Sequence, residues 1–238
     1  MIVATPAIVL RATKFGDTSL IVNTYTRLQG HQSFMVKNAF SKKSRFNVAH
    51  FEPLSVLDIT YNDNNKDSLK YFKDLSVGSI RAGTLFDPSR NAILFFYNEI
   101  LFKLLTDFGP DSDLFDFLVS EIEAVGSLPA NRLANLPLDF ILRLSDRLGY
   151  APSDNYSLTN RYFQMQEARF VDYFLSDELM MSGEESSYLH LLLSGTEPPF
   201  IPYSVRIPIL RKLVVYLQLN NEHVKRIDSI DILSSILR

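Results

Sequence analysis

The sequence predicts an α+β protein in which a small β-barrel over residues 1–80 precedes a helical domain over residues 81–238. Three observations support this order: short β-type segments fill the first part, helical periodicity begins at Asp87, and the charge balance changes between the two. Residues 1–80 carry 10 Lys and Arg against 6 Asp and Glu, whereas the remainder carries 14 against 21. We therefore expect two modules that join near residues 81–87, the first of them suited to a polyanion.

Five segments of the first module are rich in Val, Ile, Thr, Tyr and Phe and are bounded by Gly, Asp, Asn or Pro. In the first segment, strict alternation places Val9 and Arg11 on one face and Ala12 on the other. Five short strands in about 75 residues predict a small closed barrel of the oligonucleotide-binding (OB) or SH3-like kind. The segments are 6–14, 18–26, 31–39, 53–62 and 68–80.

The second module has the spacing of amphipathic helices. Asp87 and Pro88 suit an N-cap and a first helical turn, and apolar residues then recur at intervals of three and four. Residues 161–171 lack that period and are expected to form a hairpin. Further helices are expected after Asp111 or Ser112, from Pro137 to Leu148, after the capping box of Ser182 and Glu185, over Val205–Asn220 and over Ser229–Leu237.

Several classes of protein are disfavoured by what the sequence lacks. It has no cysteine, so disulfides, thiolate metal sites and a cysteine nucleophile are excluded. The longest stretch without Asp, Glu, Lys or Arg has 11 residues, and a membrane helix needs about 20. Gly-rich phosphate loops, nucleophile elbows and zinc-protease motifs are absent, and the four histidines are scattered. We expect a soluble, cytoplasmic protein that is not an enzyme and has no cofactor.

The strongest local signal is a basic segment over residues 37–51 in which aromatic residues alternate with cations and no acid occurs. Cations neutralise phosphates, and aromatic faces stack on unpaired bases, so this pattern on a barrel favours nucleic-acid binding. The alternative is a solvated basic loop whose phenylalanines plug the end of the barrel. The candidate DNA-binding residues are Lys37, Lys42, Lys43, Arg45, Phe40 and Phe46, with Arg11, Lys14 and Arg27 on neighbouring strands.

A second candidate site lies in the helical module. Phe95 and Phe96 cannot face the same way on one helix, and neither can Phe115 and Phe117, so one ring of each pair is expected to remain exposed. An exposed apolar groove with basic residues at its edge suits an acidic, amphipathic peptide. The candidate residues for that edge are Lys103, Arg143 and Arg147.

Several elements, in this order and spacing, resemble the bacterial recombination-repair family RecO. The resemblance covers nearly the whole chain and is most specific in the first module. The matching elements are Ala7–Arg11, Phe15–Val22, Lys37 with Lys42–Arg45, Phe51–Leu54, Leu114–Leu118 and Leu148–Tyr150 followed by Pro152.

The resemblance implies an N-terminal OB-fold and a helical C-terminal domain. It further implies a protein that binds single- and double-stranded DNA and anneals complementary strands. Such a protein works with RecR, and in some organisms RecF, to load RecA recombinase onto strands coated by single-strand-binding protein, and it docks that protein's acidic C-terminal tail. It would be cytoplasmic and associated with the nucleoid during repair. By matched position, Lys37, Lys42, Lys43 and Arg45 inherit the DNA-binding role.

One departure from the family concerns zinc. Many relatives carry four cysteines after the Leu-Gly-Tyr element, whereas residues 152–171 contain neither Cys nor His here. A zinc site of that kind is excluded, and we expect aromatic packing by Tyr156, Tyr162, Phe163 and Phe170 instead. The chain resembles a cysteine-free branch associated with Bacteroidetes-like bacteria. Two other functions remain open: a protein-interaction adaptor with incidental DNA contact, and a metal-dependent phosphodiesterase using scattered carboxylates.

Overall fold

The computed structural model describes residues 1–42, 44–63, 69–78, 87–195 and 200–237. Lys43 and most of the predicted join at 81–87 lie outside the described residues. The chain divides into two compact units, Met1–Ser127 and Leu128–Arg238. Strands give way to helices near the predicted join, but the first two helices make their contacts within the barrel unit.

Five antiparallel strands form the barrel, in the order β3-β2-β1-β4-β5. A parallel bridge between Phe34 and Lys70 connects β3 to the segment just before β5, with Met35 N donating to Lys70 O at 2.8 Å and Lys70 N donating to Ser33 O at 2.9 Å. The prediction of a five-stranded, OB-like barrel is confirmed. The strands are β1 (Ile2–Phe15), β2 (Ser19–Thr26), β3 (Gly30–Val36), β4 (Val56–Asn62) and β5 (Phe72–Val77).

Aromatic rings fill the barrel core. Phe34 stacks on Phe72 with ring centroids 4.2 Å apart and meets Tyr61 edge-on at 5.0 Å. Phe51, from the short 3-10 helix Val48–Phe51, stacks on Phe72 at 5.7 Å. Offset and edge-on ring pairs add to the free energy of area burial, so the connection after β3 is tied into the core at its far end.

A β-bulge in β1 changes which side chains face inward. Residues 2–8 pair with β4 and residues 7–15 pair with β2, and the register shifts between Val9 and Arg11. Because one extra residue reverses the phase of alternation, Ala12 packs against the core that contains Val9, while Arg11 is exposed. The strict alternation expected from sequence was therefore wrong at this point.

Helices α1 (Pro88–Leu105) and α2 (Ser112–Ser127) follow the barrel. As predicted, Asp87 caps α1 by accepting from the backbone N of Ser89 at 2.9 Å, and Asp111 caps α2 by accepting from Leu114 N at 2.9 Å. The Tyr25 hydroxyl of β2 donates to Gly109 O at 3.0 Å. The loop between the two helices is thus bonded to the barrel.

The expectation about paired phenylalanines was right for α1 and wrong for α2. Phe96 is fully buried and Phe95 is 53% exposed, but Phe115 and Phe117 are both buried. Phe115 stacks near Tyr25 of β2, with centroids 6.3 Å apart. Helix α2 is therefore covered on more than one side, which a single apolar stripe does not indicate.

Within residues 128–195 and 200–237, the second unit contains a 3-10 helix, four α-helices and a hairpin. The capping box at α4 is formed as predicted: Ser182 N donates to Glu185 Oε2 at 2.6 Å and Glu185 N donates to Ser182 Oγ at 3.3 Å. No helix among the described residues is both long and apolar enough to cross a membrane. The elements are the 3-10 helix Ala130–Asn135, α3 (Leu136–Arg147), β6 (Tyr162–Gln164), β7 (Arg169–Val171), α4 (Gly183–Leu193), α5 (Tyr203–Asn220) and α6 (Ser229–Ile236).

Aromatic side chains pack around the hairpin, as the sequence predicts for residues 152–171. Phe163 and Phe170, one from each strand, meet edge-on at 5.2 Å. Tyr156 packs against Phe170 at 5.3 Å and stacks on His190 of α4 at 4.7 Å. The His190 Nδ1 lies 2.7 Å from Asp154 Oδ1. These side-chain contacts anchor the hairpin to α4.

Candidate nucleic-acid interface

Three of the predicted cations lie over aromatic rings near the end of the barrel. Lys14 Nζ is 5.9 Å from the centroid of Phe40, and Lys37 Nζ is 5.0 Å from that of Tyr71. Ring faces attract cations without neutralising their charge. We call Lys14, Lys37, Lys42 and Arg45 the basic rim, and all four are exposed. Its charges therefore remain available to an anion.

Arg45, the third of these cations, has two contacts. Its Cζ lies 5.2 Å from the centroid of Phe46, and its Nη2 lies 3.4 Å from Asp74 Oδ1. Both side chains of this ion pair are mostly exposed, at 65% and 73%, and such pairs contribute little because water screens them. A phosphate can therefore replace Asp74 as the partner of Arg45 with little loss of free energy.

The two predicted stacking rings of this segment differ in accessibility. Phe40 is 50% exposed, so one face of its ring can meet a ligand. Phe46 is half-buried, packs against the barrel core and meets Phe72 edge-on at 6.1 Å. For Phe46 the structure favours the alternative of a ring that plugs the barrel end.

The outer surface of the barrel offers a further set of side chains, which we call the β1–β3 face. It contains two cations, no acid and two large exposed aromatics, Phe15 at 53% and Tyr71 at 50%. All ten positions are exposed or half-buried. They are Arg11, Thr13, Phe15, Ser19, Ile21, Asn23, Ser33, Met35, Lys37 and Tyr71.

Strand register places these residues on one surface. Thr13 pairs with Ile21, which pairs with Met35, and directly paired residues project from the same side of a sheet. Tyr71 adjoins this row, with its hydroxyl 3.8 Å from Met35 Sδ. Phe15 belongs to the next row because it pairs with Ser19. The row that runs across the strands thus has apolar side chains at its centre.

The loop between α1 and α2 covers one end of this surface. His31 N donates to Phe108 O at 3.2 Å, and burial lowers the pKa of the His31 imidazole. Gly30 has a φ of +65°, and a Cβ there would lie 2.6 Å from Phe108 O. Beside the covered end, the Arg11 guanidinium lies 5.1 Å from the Phe102 centroid. The open part of the β1–β3 face therefore begins at Arg11.

The other outer surface of the barrel has the opposite charge. This β4 face contains two aspartates and no cation of its own, although Arg45 of the basic rim reaches Asp74 at its margin, and it holds a shallow groove of about 340 Å³. Electrostatics favours a polyanion on the β1–β3 face and disfavours it here. The β4 face consists of Ile2, Ala4, Pro6, Asp58, Thr60, Asn62, Asp74 and Ser76.

Arg27 is not among the residues of either surface. Its Nε and Nη2 donate to the two oxygens of Asp116 on α2 at 2.9 and 2.8 Å. These hydrogen bonds raise the pKa of Arg27 and lower that of Asp116. A fork-to-fork pair of this kind engages the guanidinium and links β2 to α2. The assignment of Arg27 to DNA binding stays a prediction.

The residues predicted to line a peptide groove lie in different units: Lys103 is in the first, and Arg143 and Arg147 are in the second. Lys103 lies on α1, where its Nζ is 2.6 Å from Glu99 Oε1. Arg143 lines a groove of about 690 Å³ in the second unit, and Arg147 is not among its lining residues. The same groove contains Arg206, which the sequence pattern did not single out. Leu136, Phe200 and Ile201 supply its apolar lining.

Arg206 is a buried cation at the base of this groove, 5% exposed. Its Nη1 donates to Ile201 O at 3.1 Å and its Nη2 to Leu237 O at 2.5 Å, while its Nε has no acceptor among the described residues. Burial lowers the pKa of Arg206, since a charged guanidinium is poorly solvated there. The lining of the groove thus includes a buried guanidinium that is bonded to two backbone carbonyls.

A closed five-stranded barrel with this strand order and a cationic, aromatic outer surface defines the chain as an OB-like protein. The domain described as "Recombination protein O N terminal" matches residues 1–80, and "Recombination protein O C terminal" matches residues 85–157. The chain belongs to the RecO family of DNA repair proteins.

Curated relatives carry the name "DNA repair protein RecO". One from Flavobacterium johnsoniae is 29% identical and one from Flavobacterium psychrophilum 26% identical, each over 99% of both chains. One from Bacteroides fragilis is 33% identical over 72% of this chain and 70% of its own. The organisms agree with the predicted Bacteroidetes-like branch.

Proposed function

We propose that this protein is a recombination mediator. It binds single- and double-stranded DNA, anneals complementary strands and, with RecR- and RecF-type partners, helps to load RecA onto strands coated by single-strand-binding protein. One observation carries the DNA-binding part of this proposal: the basic rim places exposed cations over aromatic rings, next to a β1–β3 face without acids.

Phosphate contacts explain how one surface serves both binding and annealing. Cations bind the backbone of either strand without reading its sequence. Neutralising the phosphates of two strands also reduces their mutual repulsion, so complementary strands can approach each other. The chain as a whole carries a net charge of −3, and a local positive surface on an acidic protein disfavours nonspecific association elsewhere.

The groove of the second unit suits the tail of single-strand-binding protein. An acidic peptide with apolar residues needs cations beside an apolar floor, and the groove offers both. Arg206 contributes a buried guanidinium, and Leu136 and Ile201 contribute apolar surface. We propose that Arg143 faces the acidic residues of that tail and that the buried charge of Arg206 adds to the attraction.

Salt dependence tests the DNA-binding part. Contact with about 4–6 phosphates of a single strand predicts a slope of about −3 to −4 when log affinity is plotted against log salt concentration. The double variant Lys42→Ala/Arg45→Ala should bind more weakly and flatten that slope by about 1.4. Lys73→Ala, an exposed lysine on β5, is the matched control. An unchanged slope in the double variant would remove these residues from the site.

Annealing in the presence of single-strand-binding protein tests the mediator part. We expect annealing with the intact coating protein and little with a form that lacks its C-terminal tail. The variant Arg143→Glu should reproduce the effect of the missing tail on coated strands while leaving annealing of bare strands intact. A chain that binds the tail but no DNA near ~0.15 M salt would instead be an adaptor.

A further inference from the structure

We infer that Tyr71 and Phe15 are platforms on which unpaired bases stack, so that the β1–β3 face selects single strands over duplexes. This inference deepens the proposed DNA-binding function and depends on it. The basic rim alone offers phosphate contacts, which both forms of DNA can make. A stacking surface adds a contact that only unpaired bases can make.

The exposure of the two rings is the first argument. Phe15 and Tyr71 lie at opposite sides of the same surface, and each leaves half of its area in solvent. Between them, Ile21 and Met35 form an apolar floor. Two exposed rings with half-buried apolar side chains between them, on one surface of a small barrel, indicate a binding site. The aromatic rings are flat and the Met35 thioether is polarisable, and both suit contact with the faces of bases.

The size of the surface is the second argument. Arg11 and Phe15 are four residues apart on β1, so the distance between their rows is about 13 Å along the strand. From β1 to Tyr71 there are three strand spacings, which span about 14 Å. A surface of this size holds a few nucleotides, in agreement with the lower end of about 4 nucleotides for one OB-fold.

The charges at the margins of the surface are the third argument. Lys37 lies over the Tyr71 ring in the free protein, so a base that stacks there displaces an ammonium which then reaches the phosphate of the same nucleotide. Arg11 is held against Phe102 at the other margin. No acid occurs among the ten positions, so a polyanion meets no repulsion from them.

The experiment compares the full-length protein with Tyr71→Ala, Phe15→Ala and Tyr71→Phe. Binding of a labelled oligothymidylate and of a duplex of equal length is measured by fluorescence anisotropy. We expect each alanine variant to lose about 5- to 100-fold affinity for the single strand and to keep its duplex affinity. Tyr71→Phe keeps the ring and should bind like the original protein. Phe174→Ala, an exposed ring in the second unit, is the matched control.

A second measurement needs no variant. A fluorescent adenine analogue in the single strand loses emission when it stacks, so binding to the unaltered protein should quench it. Absence of quenching, unchanged single-strand affinity in both alanine variants, or equal losses for single strand and duplex would each overturn the stacking role. Failure of the unaltered protein to bind either DNA would instead overturn the proposed function itself.

Discussion

The two outer surfaces of the barrel share strand β1 but have opposite chemistry. The β1–β3 face presents Arg11, Lys37 and two exposed aromatic rings, and the β4 face presents Asp58, Asp74 and the exposed Ile2 among small or polar side chains. Both surfaces are built on the same twisted, closed sheet. Their difference shows that the barrel fold alone does not decide where a ligand binds. The side on which a ligand binds depends on which residues of each strand point outward there.

The bulge in β1 produces this difference. Before the bulge, outward positions of β1 are Ile2, Ala4 and Pro6, which belong to the β4 face. After the register shift they are the odd-numbered residues from Arg11 onward, which belong to the β1–β3 face. One strand therefore contributes to two surfaces, and the extra residue sets the phase of the second.

The largest effect is expected from removing positive charge on one surface and comparing it with an equal change on the other. Arg11→Gln/Lys37→Gln lowers the net charge by two on the β1–β3 face, and Asn62→Asp/Ser76→Glu does so on the β4 face. The first should reduce single-strand affinity by about 60-fold at ~0.05 M salt, because two phosphate contacts are lost. The second should have a small effect, since distant charges are screened.

Titrations with labelled oligonucleotide over a series of salt concentrations measure both quantities. The slope of the first variant should fall by about 1.4, and that of the second should stay unchanged. Equal losses in the two variants would mean that net charge, and not one surface, controls binding.

A smaller effect is expected from disturbing the covered end of the β1–β3 face. Gly30→Ala should destabilise the protein by about 2 kcal/mol, because φ is +65° and the new Cβ would meet backbone atoms of Phe108 and Gly109 at 2.6 Å. Gly16→Ala shares the positive φ but has open space around it, so about 1 kcal/mol is expected. Urea unfolding measures the two values. Equal costs would show that the α1–α2 loop does not press on β3.

The smallest effect concerns the link between Arg27 and Asp116. Because Arg27 lowers the pKa of Asp116, the pair stabilises the protein above the ordinary pKa of Asp and loses that contribution as the pH falls through the lowered pKa. Asp116→Asn should therefore lower Tm slightly near neutral pH and not at all in strong acid. The same variant should keep its single-strand affinity if Arg27 lies outside the DNA surface. Thermal melts at several pH values and one DNA titration check both expectations.

Much of the fold could be predicted from local signals. Strand-forming composition between turns located the five strands, and the caps at Asp87, Asp111 and Ser182 located three helix starts. These features depend on neighbouring residues only. The bulge between Val9 and Arg11 depends on pairing with β2 and β4 together, so alternation within β1 could not show it.

The candidate site was predictable in part. The basic segment predicted Lys37, Lys42 and Arg45 of the basic rim. The sequence did not predict Phe15 and Tyr71, the exposed rings of the β1–β3 face. Phe15 lies just beyond the first predicted segment, 6–14, although the outward phase of Arg11 and Thr13 extends to it two residues later. Tyr71 faces outward because Lys70 bridges to Phe34, a contact between distant segments. Its position follows from barrel closure and leaves no local signal.

The same closure has a dynamic consequence. Two hydrogen bonds join β3 to the segment before β5, one donated by the Met35 amide and one by the Lys70 amide, and we call this junction the seam. Lys70 directly precedes Tyr71 in the chain, and Met35 lies opposite it. An oligonucleotide that rests on Tyr71 holds both sides of this seam together. Bound DNA should therefore slow hydrogen exchange at these two amides more than at amides elsewhere in the barrel, which makes the seam a reporter of occupancy.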